Sequence, residues 1–491
     1  MSVVPAEADR LIAGLAARGM VVGDGRITTG SGGTYAHHDP ATGAVQADVQ
    51  LAGAAEVDAA VRVAQAAFPM WRAMPLEQRV AALHRLADLL VEHADEAAAI
   101  NARDNGTPIA AMSSGRYTAL WTRYYAGWVD KLDGSVVPSY GGGGLDVVVP
   151  EPYGVVGAIV PWNGPMMGMG QKAVPAIAAG NTVVAKPPEL APFGALRFAE
   201  LALAAGIPPG VVNVVPGDAI AGDALVRHPG VAKLSFTGSP AVARQVMTAA
   251  AETLTPLTFE LGGKSANIVF PDADLDLAAS VAAMLGAVIL SGQGCALPTR
   301  CYVHADVYDE MARRIVEQVD AVTVGDPLDP TVVMGPVITE RACERILGVI
   351  DGALADGAGQ LLTGGERLGG ELAGGYFVAP TVFGDVDPAS ALARDEIFGP
   401  VLSLLRFTDE DEVVAAANDS RYGLAAYVHT RDSARAMRVA RALEAGTVTV
   451  NAFPAMSPSA PFGGTKQSGF GREGGRAGID EFVRPKTITL G

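Results

Sequence analysis

Short apolar runs alternate with helical patterns along the chain from residue 155 onwards. Runs rich in β-branched and aliphatic residues predict buried strands, while the segments between them repeat apolar residues at helical spacing. Such alternation is typical of a parallel sheet with helices on its faces. The predicted strands are VVGAIV, NTVVAKP, VVNVVPG, VAKLSFTG and LTPLTFELGG, followed by SANIVF, TRCYVHA, AAYVHT and GTVTVN. The pattern therefore predicts an α/β fold of two open domains in tandem, with a boundary near residues 261–265.

The chain before residue 155 has a different pattern. Residues 56–103 are rich in alanine, with apolar residues at the spacing of one helical face, at Leu83, Leu86, Leu90 and Val91. Residues 134–152 have the pattern of two strands joined by a glycine-rich turn. A hairpin of this kind is suited to pairing with another subunit.

Two uncharged stretches are long enough to raise the question of a membrane span. Residues 152–171 contain three prolines and five glycines, which indicates strand and loop. Residues 277–299 lack Asp, Glu, Lys and Arg, but their apolar part, LAASVAAMLGAVIL, has only 14 residues, which favours a buried helix. The first residues also lack the pattern of a signal peptide. We therefore expect a soluble, cytoplasmic protein.

Composition narrows the possible partners. The 491 residues carry a net charge of −17, which argues against nucleic acid and anionic membranes, because both bind Lys/Arg patches. The three cysteines, Cys295, Cys301 and Cys343, cannot form a disulfide framework and indicate a reducing compartment. No cluster of residues has the spacing of metal ligands, so no metal is expected.

Two segments have features of a dinucleotide site. In SFTGSPAV a predicted strand leads through Gly238 and Ser239 into a helix, whose free N-terminal amides suit a pyrophosphate. In VVAKPPE, Lys186 and Glu189 follow a strand, where a carboxylate can accept hydrogen bonds from ribose hydroxyls. An ordinary βα turn and solvated charges are the alternatives. The GxGxxG match at 469–474 follows no predicted strand, and LGGKS lacks the first glycine of a P-loop, so both are set aside.

Three residues that follow apolar segments are candidates for chemistry. Cys295 lies in a Gly/Pro loop after a helix, where a ligand can reach a thiolate, although a lone cysteine is usually a buried filler. Glu260 ends a predicted strand and is either a salt-bridge partner or a base with a raised pKa. Asn163 is either a turn former or an amide donor to an oxyanion.

Together these segments resemble the aldehyde dehydrogenase superfamily, over the whole chain beyond about residue 35. One such motif is consistent with chance, but seven in the family's order and spacing are specific. The motifs are PWN at 161–163, KPPE at 186–189, FTGS at 236–239, FELGGKS at 259–265, GQGC at 292–295, EIFGP at 396–400 and PFGGTKQSGFGRE at 461–473.

The resemblance implies an NAD-dependent enzyme that oxidises an aldehyde to a carboxylic acid. Cys295 is similar to the nucleophile that attacks the aldehyde, and Asn163 with the Cys295 N–H would form the oxyanion hole of the thiohemiacetal. Glu260 is similar to the base that activates water to hydrolyse the thioester. Lys172 and Glu473 match positions suggested as a proton path.

The resemblance also implies cofactor, substrate and subunit contacts. NAD is expected rather than NADP, because Glu189 would repel a 2′-phosphate. The cofactor contacts would be Ile159, Val160, Pro161, Trp162, Lys186, Glu189, Gly217, Phe236, Gly238, Ser239, Leu261, Gly262, Glu396 and Phe398. The substrate pocket would comprise Gly164, Met167, Gly168, Gln171, Gly294, Ala296, Leu297, Met456 and Phe462. The expected ranges are 1–133 and 153–260 for a Rossmann-like NAD-binding domain, 261–455 for the catalytic domain, and 134–152 with 478–491 for the oligomerisation strands of a homodimer or homotetramer.

The chain departs from the family's pattern near three motifs. Leu297 and Pro298 stand after the cysteine, where the family usually has a small residue two places on. Ala243 replaces a second glycine of the phosphate-binding helix. Gly164 and Gly168 stand where many members carry bulky groups, and they predict a pocket for a bulky aromatic, or a branched or long aliphatic, aldehyde.

Two other functions remain open. A cysteine hydrolase would need a histidine base for Cys295, and the strand that carries His304 leads away from the loop. A non-catalytic protein that kept the fold is disfavoured, because the cysteine, the glutamate and the asparagine are all present.

Overall fold

The computed structural model describes residues 5–111, 113–140, 144–454 and 456–491. Two large sheets, each built mainly of parallel strands, account for most of the strands in this part of the chain. Three small antiparallel sheets lie beside them. The predicted α/β fold is confirmed, while the exact domain ranges remain a prediction.

The first large sheet has eight strands, of which five are parallel neighbours. The sequence pattern predicted no strand in its last member, where two glycines flank Phe470, but that segment pairs antiparallel with the strand that ends at Glu260. In spatial order the strands are Gly25–Ile27, Met20–Val22, Val212–Val214, Thr182–Lys186, Val155–Ile159, Lys233–Thr237, Leu257–Glu260 and Gly469–Phe470.

Helices cover both faces of this sheet. Alternate residues of its central strand therefore pack into different apolar cores. Val156 and Ala158 belong to one apolar cluster, and Val155 and Ile159 belong to another. The helices of this half are Pro5–Arg18, Ala54–Ala73, Leu76–Glu92, Ala94–Asn105, Ser114–Ala126, Pro165–Gly168, Val174–Ala178, Phe193–Ala204, Ala219–Arg227, Pro240–Ala250 and Gly475–Asp480, with a π-helical turn at Met169–Ala173.

The second large sheet has seven strands, all parallel except the first pair. In spatial order they are Gln360–Thr363, Thr381–Gly384, Val401–Phe407, Arg300–His304, Ala266–Val269, Ala425–His429 and Thr447–Val450. Its helices are Leu275–Ala283, Tyr308–Asp320, Glu340–Ala355, Ala391–Arg394, Glu410–Asn418 and Ser433–Ala442, with a π-helical turn at Met284–Val288 and 3₁₀ turns at Ile289–Gly292, Ala305–Val307 and Gly370–Leu372.

The helical stretch Leu275–Gly292 is apolar and long enough to cross a membrane by length and composition alone. Its small side chains, such as Ala278 and Ala282, are fully buried and pack with Tyr308 and Met311 of a neighbouring helix. Core helices of water-soluble proteins pass the same length test, so this stretch is a weak indication of a membrane span. The packing agrees with the predicted buried helix.

The small sheets lie outside the two main layers. Strands Ser135–Val137 and Leu145–Pro152 form the predicted hairpin, and the chain's last strand, Val483–Leu490, pairs along its other edge. The other small sheets pair Thr34–His38 with Val45–Gln50, and Tyr422–Gly423 with Thr465–Lys466.

Candidate active site

A cavity of about 380 Å³ lies at the carboxyl ends of the parallel strands of the first sheet. Ile159 and Lys186 are the last residues of two adjacent strands, and Thr237 ends a third. Ligands of open α/β sheets bind at this edge. The lining consists of Ile159, Val160, Pro161, Trp162, Asn163, Lys186, Pro188, Phe236, Thr237, Gly238, Ser239, Leu261, Gly262, Cys295, Glu396 and Phe398.

A second cavity of about 260 Å³ adjoins the first, because Ile159, Lys186 and Phe236 line both. It lies between the helices Ala219–Arg227 and Pro240–Ala250, which contribute small and apolar side chains at helical spacing. Its other lining residues are Glu189, Asp218, Ala219, Gly222, Asp223, Val226, Val242, Gln245, Val246 and Ala249.

The turn before Cys295 has a left-handed backbone. Leu290, Ser291 and Gly292 have φ angles of 52°, 52° and 70°. Non-glycine residues in this region store about 1–3 kcal/mol each, and they persist only where the surrounding structure enforces them. A Cβ on Gly292 would collide with the carbonyl of Gly399, so glycine is needed for this close approach. Strain of this kind collects at functional sites, which agrees with a chemical role for the loop.

The environment of the Cys295 thiol disfavours its ionisation. Burial, and then the carboxylates of Glu396, Glu260 and Glu473, raise the pKa of the thiol to about 12. The thiol is therefore protonated at neutral pH when no ligand is bound, and nucleophilic attack requires that a base accept its proton.

His304 does not supply that base. Its Nδ1 accepts a hydrogen bond from the Asp306 N–H at 3.2 Å, and its ring packs edge-on against Phe407 with the centroids 5.3 Å apart. These contacts hold the imidazole at the end of its own strand, so His304 gives no support to a cysteine–histidine hydrolase.

Asn163, which belongs to the first half of the chain, lines the same cavity as Cys295. Its Nδ2 donates a hydrogen bond to the backbone carbonyl of Gln293 at 2.8 Å, two residues before Cys295. The preceding residue is also fixed, because Asn105 Nδ2 donates to the Trp162 carbonyl at 3.0 Å. The amide is therefore directed towards the cysteine loop.

Glu260 is a buried carboxyl group without a hydrogen-bond partner among the described residues. Its side chain is 3% exposed and both oxygens are unpaired. Burial raises its pKa well above the ordinary value, the carboxylate of Glu473 raises it further, and the cations of Lys172 and Arg472 oppose this effect. Once ionised, such a carboxylate is a stronger base than one exposed to water.

Lys172 and Glu473 form a buried ion pair beside Glu260. Lys172 Nζ donates to Glu473 Oε1 at 2.5 Å and to Ser235 Oγ at 3.1 Å. Both charged side chains are almost completely buried. The structure thus brings together the two residues predicted for a proton path.

Two glycines after Glu260 allow two segments to approach the backbone closely. A Cβ on Gly262 would collide with the Glu396 carboxylate, and one on Gly263 would collide with the Cys295 carbonyl. The Gly263 N–H donates to Glu396 Oε1 at 2.9 Å, while burial raises the pKa of Glu396 to about 7. The glycines therefore place the Glu396 carboxylate and the cysteine loop on adjacent sides of one turn.

The two adjoining cavities form a groove, which has the hydrogen-bond donors and acceptors that a dinucleotide requires. The helix Pro240–Ala250 presents its N-terminus at Ser239, whose hydroxyl accepts from the Val242 N–H at 3.4 Å. Lys186 Nζ donates to the Gly217 carbonyl at 3.0 Å, so Gly217 orients the lysine. Gly217 itself is not among the residues that line either cavity. Free helix amides, an amine and two carboxylates, Glu189 and Glu396, match phosphate and ribose groups, and the apolar walls match the rings.

Aromatic contacts shape both parts of this groove. The rings of Trp162 and Phe398 meet edge to face with the centroids 5.4 Å apart. A Cβ on Gly238 would lie 2.5 Å from the Phe236 ring, so this glycine makes room for that ring. The ring of Phe236 in turn packs edge to face on Phe259 at 5.7 Å.

Gly164 and Gly168, the glycines that suggested a large substrate pocket, differ in the room around them. A Cβ on Gly168 would lie 3.2–3.3 Å from Val160 and Pro161, and one on Gly164 would lie 3.6 Å from Met167. The neighbours of Gly168 thus leave little room for a side chain, whereas the distance at Gly164 is an ordinary van der Waals contact. The pocket for a bulky aldehyde at these glycines stays a prediction.

Leu297 packs into the core beside the cysteine loop. It contacts an apolar cluster that includes Tyr427, and it covers Gly294, where a Cβ would lie 2.8 Å from the leucine. Tyr427 donates its hydroxyl hydrogen to the Ala296 carbonyl at 3.0 Å. The departure at Leu297 and Pro298 therefore anchors the end of the loop, which explains its packing.

The remaining predicted substrate residues are spread around the site. Gln171 Nε2 donates to the Tyr117 hydroxyl at 3.2 Å. Phe462 bridges to Glu473 through paired backbone hydrogen bonds, while Met456 is exposed. None of the nine predicted substrate residues is among those that line the 380 Å³ cavity around Cys295.

Several residues of the site escaped the sequence analysis. Two helix faces line the second cavity. Their lining residues recur every three or four positions, as they do in a helix that faces the core, so periodicity alone cannot distinguish the two kinds of face. Gln293 and Tyr117 act through partners distant in sequence. Pro188 and Thr237 lie inside motifs already noted, and position next to a strand end was the available signal.

The comparisons with known proteins agree on one family. The sequence profile of the aldehyde dehydrogenase family matches residues 27–488. Aldehyde dehydrogenase from Enchytraeus buchholzi is 44% identical over 466 residues, which cover 93% of this chain and 92% of that protein. The mitochondrial aldehyde dehydrogenase of Leishmania tarentolae is 44% identical over 462 residues, with the same coverage of both chains.

The fold agrees as well. The NAD⁺ complex of aldehyde dehydrogenase from Bacillus cereus superposes with a TM-score of 0.92 at 38% identity, and the match covers 96% of each chain.

Proposed function

The chain belongs to the aldehyde dehydrogenase family, and we propose that it oxidises an aldehyde to a carboxylic acid by covalent catalysis at Cys295. It is an NAD(P)-dependent aldehyde dehydrogenase, with NAD as the cofactor that fits its groove. One observation carries the mechanism: Cys295 lies opposite the Asn163 amide in the cavity, with the unpaired carboxyl group of Glu260 nearby.

Acylation begins with transfer of the thiol proton. Glu260 is the buried carboxyl group available to accept it, because Glu473 is paired with Lys172 and Glu396 accepts a hydrogen bond from the backbone. As sulfur attacks the carbonyl carbon, the oxygen becomes an oxyanion, to which the second Nδ2 hydrogen of Asn163 and the Cys295 N–H donate. One such donor contributes roughly 10²–10³ in rate. Bound NAD would supply the hydride acceptor that converts the resulting thiohemiacetal into a thioester on Cys295.

Deacylation uses Glu260 again. The thiol proton taken up during acylation first leaves Glu260 towards the Lys172–Glu473 pair, which lies close enough to influence the pKa of Glu260. The carboxylate then accepts a proton from water, the hydroxide attacks the thioester carbonyl, and the carboxylic acid leaves as the Cys295 thiolate takes that proton back from Glu260. The side chain of Glu260 is free to serve both steps, since no hydrogen bond fixes it in the described structure.

A preference for NAD over NADP follows from Glu189. Its carboxylate lies in the cavity between the two helices, and Asp218 and Asp223 line the same cavity. Three carboxylates there repel the 2′-phosphate of NADP, while Glu189 can accept hydrogen bonds from ribose hydroxyls.

The activity test uses the purified full chain with NAD and a panel of aldehydes from acetaldehyde to long aliphatic and aromatic ones. We expect NADH and one equivalent of carboxylic acid without added coenzyme A. Cys295→Ala should remove turnover, whereas Cys301→Ala, at a fully buried cysteine of the neighbouring strand, should retain it. Equal loss in both variants, or ester hydrolysis without NAD that exceeds NADH formation, would contradict the proposal.

A further inference from the structure

Gln293 connects the two halves of the proposed site through one hydrogen bond, and it is held in its own half by three others, of which one is from its backbone N–H to the Leu290 carbonyl at 2.9 Å. Its backbone carbonyl accepts from Asn163 Nδ2 at 2.8 Å. Its side-chain Oε1 accepts from the Ile338 N–H at 3.0 Å, and its Nε2 donates to the Leu290 carbonyl at 3.2 Å. The residue is 3% exposed, so water competes little for these bonds.

The carbonyl of Gln293 determines which end of the Asn163 amide faces the cysteine. A backbone carbonyl is an acceptor only, so it pairs with the NH₂ end of the amide and repels the oxygen end. One NH₂ hydrogen is used in this bond, and the second remains for another acceptor. If the amide were flipped, its oxygen would face the oxygen of the substrate, which would destabilise an oxyanion.

The side chain of Gln293 holds that carbonyl in place together with the backbone N–H of the same residue. Gln293 follows the left-handed turn of Leu290, Ser291 and Gly292, whose backbone is strained and would relax if it were free. The side-chain bond to the Ile338 N–H ties Gln293 to the segment before the helix Glu340–Ala355. The side-chain bond to the Leu290 carbonyl reinforces the turn, which the backbone N–H of Gln293 also closes on that carbonyl at 2.9 Å. Both ends of the side-chain amide are therefore used.

We propose that Gln293 is a positioning residue that orients the Asn163 amide towards the carbonyl oxygen of the substrate. The inference rests on the proposed function and adds a residue that acts through Asn163. Gln293 contacts neither substrate nor cofactor by its side chain; its effect passes through its own carbonyl.

The test compares Gln293→Met, which has similar size but cannot form either side-chain bond, with wild type in single-turnover NADH formation at saturating NAD. We expect the acylation rate and kcat/KM to fall about tenfold or more, because a displacement of about 1 Å in an aligned site has effects of this size. Dissociation constants for NAD should stay within about twofold. Gln293→Asn, which is one methylene shorter and still polar, should show the same direction and serves if the Met variant does not fold.

A double-mutant cycle with Asn163→Ala separates positioning from general loosening. If Gln293 acts through Asn163, Gln293→Met should slow acylation by less than about twofold in the Asn163→Ala background. The matched control is Ser291→Ala, which removes another buried hydrogen bond of the same turn, from Ser291 Oγ to the Gly335 carbonyl at 2.7 Å. Its effect on acylation should be equal with and without Asn163.

Two results would overturn the inference while the proposed function stands. One is a Gln293→Met effect that persists in full without Asn163. The other is that Gln293→Met slows the alkylation of Cys295 by iodoacetamide as much as it slows acylation, which would show that the thiol itself has moved. Failure of the wild-type protein to form NADH through Cys295 would instead reject the proposed function.

Discussion

At the scale of one residue, Lys264 shows that the motif around Glu260 also affects the stability of the folded protein. It follows the two glycines that admit Glu396 and the cysteine loop. The residue is 2% exposed, and its Nζ has no hydrogen-bond partner within the part of the chain that the structure describes. Burial, and then the nearby cation of Arg300, lower the pKa of Lys264 to about 7. An amine with these surroundings destabilises the folded state when it is protonated.

We predict that Lys264→Met raises the thermal unfolding temperature at pH 7. The folded pKa of about 7 lies below the ordinary value of 10.5, so the unfolded chain binds more protons between these pH values, and the wild-type protein gains stability as pH rises through that window. The advantage of methionine should be about 1 kcal/mol or more at pH 7 and shrink towards pH 10. Scanning calorimetry at several pH values measures this, with the exposed Lys131→Met as control; an advantage that grows with pH would contradict it.

At this scale the sequence predicted the three residues that we propose for the chemistry, and it missed Gln293, which we propose to orient one of them, and Tyr117, which binds Gln171. Cys295, Glu260 and Asn163 stand in short motifs whose residue types match a reaction. Gln293 and Tyr117 acquire their roles from contacts across 45 and 54 residues of chain, respectively, and no local pattern contains such contacts.

At the scale of elements, a buried aspartate fixes the start of the helix Phe193–Ala204. Asp104 Oδ2 accepts from the N–H groups of Phe193 and Gly194 at 3.0 and 3.3 Å. Its other oxygen lies 3.1 Å from His37 Nε2, which is also 3.0 Å from the Leu190 carbonyl. The cap thereby holds both the helix and the loop that precedes it.

We predict that Asp104→Ala weakens NAD binding, because that loop carries Glu189. The dissociation constant for NAD should rise several-fold and the unfolding temperature should fall, since a lost helix cap costs about 1 kcal/mol and a buried unsatisfied donor costs more. NAD titration by protein fluorescence measures the first effect. Asp274→Ala removes the cap of a helix in the other half, and it should lower stability without changing NAD affinity. Equal NAD affinity in wild type and Asp104→Ala would contradict the prediction.

The elements themselves were predictable where the apolar pattern was continuous. Most of the parallel strands are runs buried along most of their length, and such runs have few alternatives. The strand Gly469–Phe470 was missed because glycine-rich sequence carries no strand signal, and its pairing with Phe259 and Glu260 depends on tertiary contact. The π-helical turn and left-handed residues before Cys295 were missed because packing, not propensity, imposes them.

At the scale of the whole molecule, the three-stranded sheet leaves an open edge. Among the described residues its outer strand Val483–Leu490 pairs on one side only, and Ile488 and Leu490 are exposed. Unpaired edges with apolar side chains favour association, and symmetric association is the common outcome. This arrangement supports the proposed homodimer or homotetramer, while the domain ranges and the cytoplasmic location remain predictions from the sequence.

We predict that light scattering coupled to size exclusion gives a homodimer or a homotetramer. Ile488→Asp, which places a charge on the outer strand, should shift the population towards the monomer. Leu254→Asp, at an equally apolar but remote exposed position, should leave the mass unchanged. A monomeric wild-type protein at micromolar concentration would contradict the proposed assembly.

The central claim is that Cys295 carries the acyl group and that Glu260 is needed to release it. The most direct measurement is the intact mass of Glu260→Gln after mixing with NAD and an aldehyde, together with the NADH formed in the first turnover and peptide mapping of the adduct. In this variant bulk solvent must take the thiol proton, so we expect slow formation of one NADH per site and a matching acyl adduct on Cys295 that decays slowly. NADH formation with no adduct, or with an adduct on Cys301 or Cys343, would contradict it.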